Sequence, residues 1–166
     1  AAYTGRRANR PNLISYDMGG TSTDVALIRD CQPSVSNEIE IEYAMPIHVP
    51  MVDVRTIGAG GGSIARVNEA GLLEVGPQSA GADPGPICYG RGGDLPTISD
   101  ANMVLGRLDV GKLKSVPGAV DIEDIRRIFQ ARLGDPLGVD AETAAAAVQS
   151  STARLAKSSS RSKAPR

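Results

Sequence analysis

Two adjacent glycines set between two short apolar stretches constrain this chain more than any other feature. Leu13-Ile14-Ser15-Tyr16 and Val25-Ala26-Leu27-Ile28 read as strands, joined by Asp17-Met18-Gly19-Gly20-Thr21-Ser22-Thr23-Asp24. Strand, glycine turn, strand is the pattern of a hairpin. Gly19 and Gly20 allow the backbone to approach an anion and turn N–H groups toward it. Thr21, Ser22 and Thr23 add hydroxyl donors, and Asp17 and Asp24 can hold a hydrated cation that screens a phosphate. The same residues also suit an ordinary type I′ or II′ hairpin turn with solvated side chains.

A second glycine run, Gly58-Ala59-Gly60-Gly61-Gly62-Ser63, again closes a strand-like segment, Val49 to Ile57. Three consecutive glycines cost conformational entropy, so they imply close approach of something to the backbone. That partner is either a ligand facing Gly60, Gly61, Gly62 and Ser63 or a second backbone crossing tightly. The run has no Gly-Lys-Ser/Thr, which excludes Walker A, and no GxGxxG leading into a helix with a distal acidic residue, which leaves a Rossmann reading weak. Asp53, on the strand before the glycines, is a candidate for a cation or substrate contact or for a structural role. His48, the one histidine, has no Cys–His or Ser–His–Asp pattern around it and reads as structural.

With 18 basic and 19 acidic residues, the charge balance points to neither nucleic acid nor an anionic membrane as partner. Cys31 and Cys88 form no CxxC pair, so two reduced thiols in a cytoplasmic protein are expected. No stretch approaches the ~18 apolar residues of a membrane span. Nineteen glycines and eleven prolines suit a loop-rich α/β chain. One Phe and no Trp are few rings for an independent core and suggest part of something larger.

Glu38 to Tyr43 alternates polar and apolar like a half-exposed strand, and Ile64–Asn68 with Leu72–Gly76 reads as another hairpin. Residues 77–93 are irregular, with Ala82-Asp83-Pro84-Gly85-Pro86 at their centre, either lining a site or forming a stiff surface loop. Helices follow. Ser99 or Asp100 caps one through Leu108, with Asp100 and Asn102 serving the helix start rather than a ligand. Asp121 caps a second to Leu133, stopped by Gly134, and a third runs from Asp140 through Ala147. The expected architecture is a twisted sheet of five or six strands over residues 12–76 with two or three helices packed on it. The Ser/Lys/Arg-rich end, part of a divergent segment 148–166, reads as disordered.

Four segments together resemble the hydantoinase A/5-oxoprolinase family: Asp17 to Val25, Met51 to Ala65, Ser79 to Gly93, and Ser99-Asp100-Ala101-Asn102-Met103-Val104-Leu105-Gly106-Arg107-Leu108. They come in the family's order and cover a partial domain over residues 1–147. The resemblance implies an actin/sugar-kinase/Hsp70-like ATPase fold, with this chain in the second of two lobes. It implies use of ATP and Mg²⁺, often with K⁺, to open a cyclic amide such as 5-oxoproline or a hydantoin through a phosphorylated intermediate. Asp17 to Asp24 then resembles the second phosphate loop, with Asp17 and Asp24 as catalytic and metal-binding carboxylates. Gly60 to Ser63 then lies near nucleotide or substrate. Related members serve ketone carboxylases, and the family works with a hydantoinase B-type subunit.

The pattern departs from the family in four places. The first lobe and the later glycine-rich segment that completes the nucleotide site are absent, Arg55 stands where members often carry His, and the match fades after Ala147 into what reads as a frameshifted or artificially ended tail. An inactive fragment that exposes apolar surface is therefore expected. The alternatives are a carboxylase subunit and a non-catalytic nucleotide-binding or interaction module.

Overall fold

The computed structural model describes residues 1–36, 39–41, 45–47, 50–109 and 120–161, with the backbone alone for 39–41, 45–47 and 152–161. His48 lies outside the described residues. The chain divides into two compact units, one of residues 1–18 and 23–56, the other of residues 19–22 and 57–166.

The first unit opens with helix α1 (Ala2–Arg7) and the hairpin of β1 (Leu13–Met18) and β2 (Thr23–Arg29). Leu13 pairs with Ile28 and each following residue keeps step, through Tyr16 with Val25 and Asp17 with Asp24. Strand β3 (Gln32–Pro33) extends the sheet beyond β2, and β8 (Val54–Ile57) also pairs with β2. Two small ladders complete the unit: β4 (Val35–Ser36) with β7 (Met51–Val52), and β5 (Ile39–Ile41) with β6 (Met45–Ile47). Of Glu38-to-Tyr43, Ile39–Ile41 is a strand, and Glu38, Glu42 and Tyr43 lie outside the described residues.

Burial is thin here. Ile28 is the one buried large apolar side chain of this unit among the described residues, whereas Ile14 and Tyr16 are 68% and 57% exposed. Ile14 faces Leu27 across the ladder and Tyr16 faces Val25, so these four share one face of the sheet. Exposed apolar surface is expected from the sequence, and this face carries it.

The second unit holds most of the core. Strands β9 (Ser63–Val67) and β10 (Leu73–Ser79) form the predicted hairpin. Helix α2 (Ile98–Val104) follows, then α3 (Ile122–Phe129), a π-helical turn over Gln130–Gly134, the short α4 (Asp135–Leu137) and the long α5 (Ala141–Arg161). Helix α5 packs on α2, α3 and β10. Ile98, Ile125, Phe129, Leu133, Ala144 and Val148 meet with no more than traces of solvent exposure. The single Phe is thus fully buried in a largely aliphatic and alanine core.

Three expectations are corrected. Among the described residues the strands form a four-stranded sheet and three two-stranded ones rather than one sheet of five or six. Gly134 does not stop the helix from Asp121; the chain coils on to Gly138, whose φ of 68° ends it in the left-handed region. Segment 148–166 is not disordered from Ser158: α5 continues through Arg161, and only residues 162–166 lie outside the described residues.

Candidate functional site

The two glycine runs meet inside the second unit. Gly19 to Ser22 is closed on itself by the Gly19 N–H donating to the Ser22 carbonyl at 2.8 Å. The Gly61 N–H donates to the Gly19 carbonyl at 2.8 Å, and the Gly62 N–H to the Gly20 carbonyl at 2.6 Å. Gly60 lies against the same loop. A Cβ placed there would stand 2.6 Å from the Ser22 nitrogen and 2.7 Å from the Gly19 oxygen.

The two runs differ in what they leave free. The Gly60 N–H donates to Ser63 Oγ at 2.9 Å and the Ser63 N–H to the Gly60 carbonyl, so with Gly61 and Gly62 all four amides are engaged. Ser63 itself is fully buried. Gly60, Gly61, Gly62 and Ser63, read as cofactor-binding, thus offer a ligand no N–H. Of the two readings left open by the sequence, the tight crossing of backbones is the one found. Among the described residues, the N–H groups of Gly20, Thr21 and Ser22 take no protein acceptor. Gly19, Gly20 and Thr21 are exposed and Ser22 half-buried. Successive backbone N–H groups without internal partners are what an anion-binding turn supplies. Thr23, read with them as cofactor-binding, pairs with Met18 at the start of β2 and its side chain is buried.

In the first unit, Asp17 and Asp24 are directly opposed across the β1–β2 ladder and both exposed. Like charges in that position repel by up to ~1 kcal/mol, which a bound cation would reverse. Asp24 Oδ1 accepts a 2.6 Å hydrogen bond from Thr56 Oγ1, a partner that the sequence did not reveal. Asp53 lies 3.9 Å from the Arg55 guanidinium, an exposed pair. Among the described residues no group of three or more His, Cys, Asp or Glu side chains could hold a metal, so any cation here relies on ligands beyond these two carboxylates.

Behind the glycine run lies a buried polar knot. The Ser99 N–H donates to the Gly61 carbonyl at 2.8 Å, and the Ala80 N–H to the Gly62 carbonyl at 2.8 Å. Thr97, not Ser99 or Asp100, is the N-cap of α2, and Asp100 completes a capping box as its third residue. The Asp100 carboxylate accepts from the Cys88 N–H at 2.8 Å, the Thr97 N–H at 2.9 Å, the Thr97 hydroxyl at 2.8 Å and the Ile87 N–H at 3.3 Å. Burial raises its pKa, opposed by these donors. Burial, then the neighbouring Asp100 charge, also pushes the Cys88 thiol up, leaving it protonated and unreactive. The Thr97-x-x-Asp100 spacing was the sequence signal for this cap. Asn102 serves the fold as well, accepting from Gln149 Nε2 of α5 at 2.7 Å.

A family model described as hydantoinase/oxoprolinase matches residues 1–158. The caprolactamase subunit alpha of Pseudomonas jessenii is 43% identical over 138 residues, 82% of this chain and 20% of its own length. The crystal structure of the ATP-dependent caprolactamase from Pseudomonas jessenii superposes with a TM-score of 0.78 at 37% identity, over 95% of this chain and 23% of that one. A nucleotide-free acetone carboxylase gives a TM-score of 0.71 at 33% identity, covering 89% and 21%. The fold is α/β, part of an actin-like ATPase fold. The chain belongs to the hydantoinase/oxoprolinase family. It spans about a fifth of the length of curated relatives such as the caprolactamase subunit alpha. The family match reaches residue 158, past Ala147 where the sequence pattern was expected to fade.

Proposed function

We propose that this chain is part of the second lobe of an enzyme that uses ATP to hydrolyse a cyclic amide of the 5-oxoproline or hydantoin type through a phosphorylated intermediate. The observation that carries this reading is the Gly20-Thr21-Ser22 segment, exposed at Gly20 and Thr21, whose three N–H groups lack protein acceptors among the described residues. It is supported by membership of the family and by the caprolactamase likeness, since a lactam is a cyclic amide. Gly20, Thr21 and Ser22 hold phosphate oxygens with their N–H groups, and the Thr21 and Ser22 hydroxyls add donors. Asp17 and Asp24 hold Mg²⁺, the usual one or two carboxylates for that ion, and Thr56 orients Asp24. K⁺ is a second ion of the reaction. ATP supplies the phosphoryl group that turns the amide oxygen into a leaving group.

In this reading the parent works in the cytoplasm, carries its first lobe on a segment other than this chain, and assembles with a hydantoinase B-type subunit. The chain alone is inactive, because phosphoryl transfer needs groups positioned on both sides of the nucleotide. Purified chain given ATP, Mg²⁺, K⁺ and 5-oxoproline should release no ADP above background; turnover at an ordinary enzymatic rate would sink the fragment reading. In the full-length parent, Asp17→Asn and Asp24→Asn should abolish Mg²⁺-dependent turnover. The acetone carboxylase likeness favours a second reading, a ketone carboxylase subunit. A parent that consumes ATP with a ketone and bicarbonate, and not with a lactam, decides for it. A parent that binds ATP and turns over neither is a non-catalytic module.

A further inference from the structure

We propose that Gly60–Gly62, anchored from behind by Ser99 and the Asp100 knot, is a backbone template that sets the conformation of the Gly19–Ser22 loop. Gly60 and Gly62 are then positioning residues for the anion bound there, a clause that rests on the phosphate reading above.

The geometry follows from the planarity of the peptide. In a trans peptide the carbonyl and the N–H of the same unit point in opposite directions. The Gly19 carbonyl is drawn onto the Gly61 N–H, which turns the Gly20 N–H away from the run. The Gly20 carbonyl is drawn onto the Gly62 N–H, which turns the Thr21 N–H away likewise. Two successive hydrogen bonds in step therefore aim two successive donors at the open side. Both carbonyls on the far side of the run are held as well, Gly61 by the Ser99 N–H and Gly62 by the Ala80 N–H. Ser99 is fixed in turn by the adjacent Asp100, whose carboxylate ties the start of α2 to Ile87 and Cys88.

The three glycines are not equivalent. A Cβ at Gly60 would stand 2.6 Å from the Thr21 carbonyl carbon and Ser22 nitrogen, backbone atoms that yield only if the loop moves. At Gly62 it would meet the Gly20 oxygen at 2.8 Å and Ser79 Oγ at 2.9 Å. At Gly61 the near atom is Ser99 Oγ at 2.7 Å, the end of a side chain that can rotate away, and the Gly19 oxygen is 3.7 Å off.

The test is amide exchange and inorganic phosphate titration of the ¹⁵N-labelled full chain. In the native chain the Gly61 and Gly62 amides should exchange slowly and those of Gly20 and Thr21 fast, with phosphate shifting the Gly20 and Thr21 resonances. Gly60→Ala should speed exchange at Gly61 and Gly62 by about tenfold or more and remove the phosphate response. Gly61→Ala should leave both within about twofold of native, and Ser99→Ala added to it should remove the remaining difference. Gly60→Ala with native exchange overturns the template. If that variant does not fold, native exchange decides: Gly61 and Gly62 amides as fast as Gly20 overturn it too. Native protection that Gly60→Ala abolishes, without any phosphate shift in the native chain, upholds the template and overturns the anion clause and the phosphate reading.

Discussion

The Gly19–Ser22 loop and the Gly60–Ser63 run look alike in sequence, each a glycine cluster with a hydroxyl residue at the end of a strand. In the folded chain they have opposite roles. The run satisfies every one of its own N–H groups against protein, while the loop leaves three without an acceptor among the described residues. Gly20 has nothing within 4 Å of where a Cβ would sit, and Gly60 has backbone atoms at 2.6 Å. Glycine therefore serves two separate needs in one assembly. In the run it lets two backbones touch, and in the loop it keeps the surface bare.

The largest effect expected comes from removing the support behind the run. Asp100→Ala leaves the Ile87, Cys88 and Thr97 N–H groups without their acceptor. At about 1–3 kcal/mol per buried orphan donor, the loss should reach ~3 kcal/mol or more. A urea midpoint that barely moves would mean that the knot does not anchor the run. Next comes the comparison itself. Gly60→Ala should cost ~1–3 kcal/mol as an overpacking change, and Gly20→Ala no more than ~0.5 kcal/mol. Equal costs in parallel denaturation curves would erase the distinction between the two clusters.

A smaller effect is electrostatic. The folded Asp100 carboxyl has a pKa above its ordinary value of 3.8 because burial outweighs its donors. The folded state then binds the proton more tightly than the unfolded chain. This contribution is fully present below the unfolded pKa and is lost as the pH rises through the folded one. The stability of the native chain relative to Asp100→Asn should therefore fall with rising pH over that interval. A rise instead would show that the four hydrogen bonds outweigh burial. The smallest effect is chemical. A thiol reagent should label half-buried Cys31 in the native chain and reach Cys88 only after unfolding. Rapid native labelling of both would mean that the Asp100 knot opens readily.

The hairpins are legible because each sets two short, mainly apolar stretches about a glycine-containing turn, and both are found where the pattern places them. The helix from Asp121 is legible too, since the aspartate side chain accepts from the Glu123 N–H as its cap. The end of that helix is not: Gly134 is a good stop by residue type, yet it is buried under Gln130 and the coil continues past it. The full length of α5 is hidden by serines that suggest disorder, although Ala153, Leu155, Ala156 and Lys157 all favour helix. At the site, the exposed glycine turn is legible from its own residues. The role of Gly60–Ser63 is not, because which backbone groups meet across 40 residues of chain is a property of the tertiary fold alone. Thr56 and Ser99 escape for the same reason, each bonding to a partner far away in sequence.

The chain passes between its two compact units at three points, after Met18, after Ser22 and after Thr56. No single cut in the gene yields either unit, and any continuous stretch covering residues 1–56 carries four residues of the other. Dissection of this protein therefore calls for point substitutions, or for a circularly permuted gene, rather than for truncation. A nick between Gly20 and Thr21 would fall between the paired hairpin strands of the first unit, inside the four residues that belong to the second.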